Sequence, residues 1–222
     1  MIPLKHNEHM NQLKKIYILE SVFDTAVLHD GGEAMEKQLS PICQANGVEL
    51  TRLVFYSLRE FLAEQKNILD SSNADEAIAI HLICHGADNS FVIGLVYKSE
   101  PDYIPMAKQL NLSASIICHS WEALRASLQQ INEKCNGNLF VSMCVCYGAN
   151  IFKECKVPFA KYTIASENVL YLNDIKQPYI DIYKQLIASN DIEPVKALIE
   201  ADNQNHISRS QLSVYDGIVK IL

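Results

Sequence analysis

Two apolar segments of the sequence each end in a reactive side chain that glycine follows closely. Residues 78–86 read IAIHLICHG and end in His85-Gly86, whereas residues 139–148 read LFVSMCVCYG and carry Cys144 and Cys146. A histidine that takes the proton of a cysteine thiol creates a thiolate nucleophile. The two segments therefore predict covalent catalysis by cysteine, and a cysteine hydrolase is the leading class.

Attack of a thiolate on a carbonyl group also needs hydrogen-bond donors for the oxyanion that develops. We expect the N–H groups of Gly86 and Cys146 to supply them, because glycine permits a sharp turn and a close approach to a substrate. This chemistry requires no metal and no organic cofactor. A tetrahedral zinc site of His81, His85, Cys144 and Cys146 is an alternative, but two strand ends lack the short turn that usually holds such ligands.

The composition of the chain excludes several other classes of protein. The 222 residues are 49% hydrophobic and 20% charged, which suits one sizeable domain with a buried core. The formal charge is −7 and no basic run is present, so no nucleic-acid partner is expected. No apolar segment reaches the ~20 residues that span a bilayer, and the polar N-terminus lacks a signal-peptide core. Seven cysteines, an odd number, favour reduced thiols and hence a cytoplasmic protein without membrane contacts.

Apolar runs of strand length alternate along the chain with amphipathic stretches, and this order must position the reactive segments. We expect strands at 15–19, 49–56, 77–84, 139–146 and 160–166, and helices at 33–45, 58–68, 121–134, 174–188 and 193–200. The alternation predicts an α/β three-layer sandwich with a mainly parallel central sheet. In such sheets ligands and reactive groups collect at the carboxyl ends of the strands. One domain would cover residues 1–222, with 1–13 as a flexible N-terminal segment.

Three shorter stretches complete the sequence-based expectations. Ser57 with Glu60 forms a capping-box pattern, and Ser120 is a candidate N-cap for the helix that begins at Trp121. Residues 91–97 suit a short extended segment, residues 101–112 have no firm assignment, and the last twenty residues suit an edge strand or a helix.

Together these segments resemble the caspase-like cysteine peptidases, and the bacterial CHAT-type proteases are closest in pattern. Residues 81–86 (HLICHG) are similar to the H-x-x-C-H-G form of CHAT members, and residues 145–148 (VCYG) resemble the A-C-x-G form of the caspases. Residues 119–124 (HSWEAL) are similar to the segment that opens the intervening helix in bacterial relatives. The strand and helix that follow the cysteine also resemble those of CHAT domains, so the resemblance covers roughly residues 15–201.

The resemblance implies a caspase/hemoglobinase-like fold and a cysteine endopeptidase that acts on a protein or peptide substrate. It makes His85 and a cysteine the catalytic pair, but it does not decide which of two thiols is the nucleophile. Alignment of Ser142-Met-Cys144 with the S-A-C of CHAT proteins favours Cys144, whereas alignment with C-x-G favours Cys146, which lies nearer Gly148. We take Cys146 as the nucleophile and keep Cys144 as the alternative. No self-cleavage linker is evident, so activation depends on a regulatory protein partner or needs none.

The resemblance also implies where the substrate binds. In relatives the loop after the first strand and the segment after the cysteine strand contribute to the pocket for the residue before the scissile bond. Here these stretches contain Asp24, Ser166 and Glu167. The carboxylates of Asp24 and Glu167 would pair with an arginine or lysine of the substrate, unless both are solvated loop acids.

Other interpretations of the same residues remain open from the sequence. His81 suits a buried structural histidine bonded to backbone, and Cys84 suits a small core residue. Two other functions also remain open, namely a catalytically inactive caspase-like interaction module and a doubly wound domain that binds a small molecule. Bacterial relatives imply a role in regulated proteolysis, signalling or defence, which is an inference from fold-level analogy.

Overall fold

A seven-stranded sheet, parallel over five of its strands, forms the centre of the protein. The computed structural model describes residues 11–21, 29–97, 114–205 and 210–222. The strands are β1 Leu13–Ser21, β2 Glu49–Phe55, β3 Ala77–Ile83, β4 Ser90–Tyr97, β5 Ala114–Ser120, β6 Leu139–Cys144, β7 Tyr162–Ala165, β8 Ser213–Asp216 and β9 Val219–Lys220. The central sheet has the order β2-β1-β3-β6-β7-β8-β9, and only β8 and β9 run antiparallel to their neighbours.

Helices cover both faces of this sheet. They are α1 His29–Asn46, α2 Leu58–Ser71, α3 Trp121–Lys134, α4 Leu172–Ser189 and α5 Ile192–Asn205, with a short 3-10 helix at Gly148–Phe152. One apolar core joins the sheet to α1, α4 and α5, and it includes Leu39, Tyr183 and Val195. The other joins the opposite face to α2 and α3, and it includes Phe61 and Leu128. The expected α/β fold with a mainly parallel sheet between helices is confirmed.

The helix starts follow from local side-chain chemistry. The Ser57 hydroxyl accepts a hydrogen bond from the Glu60 N–H at 3.3 Å, and the Glu60 carboxylate accepts one from the Ser57 N–H at 3.1 Å. This capping box satisfies N–H groups that the first turn of α2 leaves without helical partners. Ser120 likewise accepts from the Ala123 N–H at 3.1 Å at the start of α3. Both capping predictions are confirmed.

Several element boundaries differ from those expected. The strand β1 begins at Leu13, which is buried, although residues 1–13 were expected to be flexible. Residues 1–10 lie outside the described residues. The strand β5, which was not expected, pairs antiparallel with β4 in a separate two-stranded sheet. The C-terminal residues form β8 and β9 at the sheet edge. No helix within the described part of the chain is long and apolar enough to cross a membrane.

A buried ion pair joins β1 to β2 at the carboxyl edge of the sheet. The side chain of Glu20 has no exposed surface, and its Oε2 lies 2.6 Å from Nη2 and 2.7 Å from Nε of Arg52. This contact also explains Gly32 in α1, because a Cβ there would lie 2.4 Å from Glu20 Oε2. The positive charge of the Arg52 guanidinium therefore offsets the free-energy cost of burying the Glu20 carboxylate.

Replacement of Arg52 by methionine should lower the free energy of unfolding by about 3 kcal/mol, because it leaves the Glu20 carboxylate buried without its guanidinium. Urea denaturation at neutral pH measures this loss. Lys66→Met is the matched control, since Lys66 and Asp70 form an exposed pair, with 73% and 60% of their side chains accessible. That control should leave the free energy of unfolding close to the wild-type value, because an exposed ion pair contributes little. Equal losses in the two variants would contradict the role assigned to Glu20 and Arg52.

Candidate active site

The two reactive segments leave the sheet side by side because β3 and β6 are parallel neighbours. Their pairing ends with Ile83 opposite Cys144, and the Cys84 N–H still donates to the Cys144 carbonyl at 3.4 Å. His85 and Cys146 then lie in the two turns that follow this last pair, one after β3 and one after β6. The expectation that a histidine and a cysteine arrive at one edge of the sheet thus agrees with the strand order.

The backbone at Gly86 lies directly against the backbone at Cys146. A Cβ added to Gly86 would lie 1.9 Å from the Cys146 carbonyl oxygen and 2.6 Å from Cγ1 of Val145. Only glycine fits this position without a shift of the backbone. The glycine after the histidine is therefore explained by close approach between the two strand ends.

The turn that contains Gly86 is anchored on its other side by β4. The Val92 N–H donates to the His85 carbonyl and the Ala87 N–H donates to the Ser90 carbonyl, both at 2.8 Å. In this pattern Gly86 and Phe91 form a non-hydrogen-bonded antiparallel pair, so the N–H of Gly86 points away from β4. An oxyanion donor needs such an orientation, because its N–H must be directed toward a substrate and not toward the neighbouring strand.

Trp121 at the start of α3 also contacts the turn that contains Gly86. Its indole Nε1–H donates to the Ala87 carbonyl at 3.2 Å, and its ring lies 5.2 Å from that of Phe91. Trp121 is almost fully buried. The residue was expected only to belong to the helix start, so its contact with residues 85–87, which we call the histidine turn, is an addition from the structure.

The cysteine segment turns sharply after β6 and packs against residues 166–170. Tyr147, and not Gly148, adopts the left-handed conformation, with φ of 56°. The Tyr147 N–H donates to the Asn168 carbonyl at 3.0 Å, and the Ala149 N–H donates to the Ser166 carbonyl at 2.9 Å. We call residues 145–149 the thiol turn. These two hydrogen bonds hold the turn in its shape. Gly148 does not contribute a left-handed φ to it.

Cys146 is the more exposed of the two candidate nucleophiles. Cys146 is partly exposed, and its Sγ accepts a hydrogen bond from the Leu170 N–H at 3.4 Å. Cys144 is buried, and burial raises its pKa well above the ordinary value, with smaller contributions from Cys146 and Glu20. Burial likewise raises the pKa of Cys84. Burial therefore disfavours Cys144 as the nucleophile, because a thiol must be deprotonated and accessible to react.

The two histidines of the first segment differ sharply in environment. His85 is exposed, whereas His81 is fully buried, and burial lowers its pKa to about 3. The Nδ1 of His81 lies 2.6 Å from the Ser142 hydroxyl, which lies 2.7 Å from the hydroxyl of Tyr183. His81 is therefore a neutral core residue, as expected, but its partner is a side chain and not the expected backbone group. Within the described residues, no three His, Cys, Asp or Glu side chains are arranged to hold a metal ion.

Two of the three residues expected to bind substrate, Ser166 and Glu167, make contacts within the protein. Ser166 is buried, and its hydroxyl accepts a hydrogen bond from the Asn168 N–H at 3.1 Å, so it shapes the loop after β7. Glu167 pairs with Lys220 at 2.8 Å, and the hydrogen bond from Lys220 lowers the pKa of this carboxyl. Asp24 lies outside the described residues.

Exposed apolar side chains that the sequence did not indicate as functional lie beside the thiol turn. Val169 is 40% exposed and Tyr171 is 51% exposed, and they flank Leu170, whose N–H contacts the Cys146 sulfur. The available signal was the short run Val169-Leu-Tyr-Leu172 between a strand and a helix. Large exposed apolar residues close to a reactive group are candidates for contact with a ligand.

Two cavities lie away from these strand ends. One, of about 340 Å³, lies between α4 and α5 and is lined in part by Asp181, Ile182 and Leu198. The other, of about 540 Å³, lies beside α3 and is lined in part by Arg125 and Cys155. Neither His85 nor Cys146 lines either cavity, so a small molecule bound there would not use the strand-end chemistry.

Comparison with known proteins adds no further assignment. No protein-family model matches the chain, and no curated protein matches it significantly in sequence. The residues and geometry of the strand ends are therefore the basis for a functional proposal.

Replacement of Gly86 by alanine should displace the Cys146 carbonyl and destabilise the protein by about 1–3 kcal/mol, the usual cost of overpacking. Gly148→Ala is the matched control, because a Cβ there would lie 3.3 Å from Cβ of Met143, a contact that a small shift relieves. Thermal unfolding together with the alkylation rate of Cys146 measures both effects. Equal behaviour of the two variants would contradict the close approach at Gly86.

Native protein treated with iodoacetamide at pH 8 should be alkylated at Cys146 well before Cys144 and Cys84. Burial raises the pKa of the two buried thiols, so both are protonated at this pH and shielded from the reagent. Peptide mapping by mass spectrometry measures the order, and denatured protein, in which the three thiols should react alike, is the control. Alkylation of Cys144 as fast as Cys146 in native protein would reverse the assignment.

Proposed function

We propose that the protein is a cysteine endopeptidase of the caspase-like type. The observation that carries the proposal is the contact between Gly86 and Cys146, which brings the histidine turn and the thiol turn together at one edge of a parallel sheet. Acyl transfer requires a nucleophile, a base and oxyanion donors within reach of one carbonyl group. These three parts are the ones that the two strand ends carry.

In the proposed reaction, His85 takes the proton of Cys146 and the sulfur attacks the peptide carbonyl carbon. The tetrahedral oxyanion accepts hydrogen bonds from the N–H groups of Gly86 and Cys146. Collapse of this intermediate breaks the C–N bond, and His85 donates its proton to the leaving amine. Water then hydrolyses the thioester, releases the acid product and restores the thiol.

We propose that Val169 and Tyr171 contact apolar groups of the peptide beside the scissile bond. Both are exposed, and the intervening Leu170 holds the Cys146 sulfur through its N–H. Selection of a basic residue by Glu167 has less support, since Lys220 already pairs with that carboxylate. Asp24 stays a candidate for such selection by virtue of its place after β1 in the sequence.

A role in regulated proteolysis, signalling or defence in the cytoplasm, with a regulatory protein partner, is the biological setting that we propose for this activity. The thiol turn and the histidine turn are held by hydrogen bonds to their surroundings, at Asn168 and Val92 respectively. Regulation in this setting would act on access of the substrate protein to the strand ends.

The direct test is labelling with peptidyl chloromethyl ketones that carry a basic, acidic or apolar residue next to the reactive group. Labelling, followed by intact mass, should persist in Cys144→Ala and disappear in Cys146→Ala. His85→Ala should slow labelling by about 10²–10⁴-fold, the usual contribution of a general base. Cys155→Ala, which removes another partly exposed thiol, is the control and should react as the wild type.

Other outcomes of this labelling experiment would lead to different conclusions. Labelling that persists in Cys146→Ala and disappears in Cys144→Ala would transfer the nucleophile to Cys144. Labelling that is independent of both cysteines or of His85 would contradict the peptidase. In that case the inactive interaction module, or a small-molecule binder that uses the cavity between α4 and α5, would be the better interpretation.

A further inference from the structure

The hydrogen bonding of β6 changes partner immediately before the reactive cysteines. Backbone pairing of β6 with β7 ends at Ser142 opposite Ile164. The next carbonyl, that of Met143, accepts a buried hydrogen bond of 2.7 Å from the hydroxyl of Tyr179 in α4. Since the Cys144 carbonyl accepts from the N–H of Cys84, which directly follows β3, the Met143 carbonyl points to the opposite side of the strand. Tyr179 thus supplies a donor where the β7 pairing has ended.

The hydroxyl of Tyr179 is held in place by packing around its ring. Tyr179 has no exposed surface, and its ring lies 4.7 Å from that of His81 in a T-shaped arrangement. His81 is itself held by the 2.6 Å contact of Nδ1 with the Ser142 hydroxyl. A donor with so little rotational freedom can define the position of its acceptor.

The segment that leads into α4 contacts the far side of the thiol turn. The Leu170 N–H donates to the Cys146 sulfur, and α4 begins two residues later at Leu172. The chain is therefore held by α4 at Met143, two residues before the thiol turn, and by the segment that leads into α4 at Cys146.

We infer that Tyr179 is a positioning residue, whose hydroxyl fixes the Met143 carbonyl and through it the thiol turn that carries Cys146. The inference rests on the proposed function, because its consequence is the placement of the sulfur for attack. A displacement of about 1 Å at a reacting group can cost about 10²-fold in rate. Tyr179 does not touch the reacting atoms in this account.

Tyr183 provides a matched control on the same helix. It is as fully buried as Tyr179, and its hydroxyl lies 2.7 Å from that of Ser142. Its partner is thus a side chain of β6 and not the backbone that leads to the thiol turn. Tyr179→Phe and Tyr183→Phe each remove one buried hydroxyl, so they should lose similar stability and differ only at the turn.

Two readouts test the inference. The first is amide hydrogen exchange of residues 145–149, which should become about tenfold faster in Tyr179→Phe because a buried carbonyl has lost its donor, and stay within about threefold of wild type in Tyr183→Phe. The second is the kinetics of labelling by a peptidyl chloromethyl ketone. Tyr179→Phe should lower the maximal labelling rate at least tenfold with an unchanged half-saturating probe concentration, and Tyr183→Phe should change neither quantity.

The two readouts separate failure of the inference from failure of the proposed function. Unchanged exchange in Tyr179→Phe, or equal effects of both variants, would overturn the positioning role. A Tyr179→Phe protein that does not fold, while Tyr183→Phe does, would make Tyr179 a general stability residue and would overturn it too. Absence of labelling in the wild type would refute the peptidase, while faster exchange confined to Tyr179→Phe would still support control of the thiol turn by Tyr179.

Discussion

The close approach of Gly86 to the Cys146 carbonyl is the constraint on which the rest of the structure depends. It requires that β3 and β6 be parallel neighbours in a register that ends both strands at one level. It also requires glycine at residue 86, since an added Cβ would lie 1.9 Å from the Cys146 oxygen. The helices on the two faces then bury both strands, so that exposed residues of these two segments appear where the strands end.

Each strand end is stabilised by one large aromatic residue from a different helix. Trp121 of α3 donates to the Ala87 carbonyl beyond His85, and Tyr179 of α4 donates to the Met143 carbonyl before Cys146. The two helices lie on opposite faces of the sheet. Both aromatic side chains donate hydrogen bonds to backbone carbonyls. Their role is therefore to fix the position of the main chain and not to alter the chemistry of the reactive side chains. Preorganisation of this kind is what a nucleophile and its oxyanion donors need.

The sequence predicted the sheet well because its parallel strands are buried on both faces and appear as continuous apolar runs, such as residues 77–83. The capping box at Ser57 was predictable because its chemistry is local. The strand β5 was missed, since its pairing with β4 is antiparallel and separate from the main sheet. The contacts of Leu170 with Cys146 and of Glu167 with Lys220 span 24 and 53 residues, so no local pattern indicates them. The left-handed φ of Tyr147 was not predictable, because the neighbouring Gly148 is the residue type that adopts this conformation most readily.

A crystal structure of the protein after reaction with a peptidyl chloromethyl ketone tests the central claim most directly. The account predicts a thioether at Cys146, with the oxygen of the peptide ketone about 2.7–3.1 Å from the N–H of Gly86. It also predicts that the His85 ring faces the bonded sulfur. An adduct at Cys144, or a ketone oxygen directed away from the Gly86 and Cys146 N–H groups, would contradict the account.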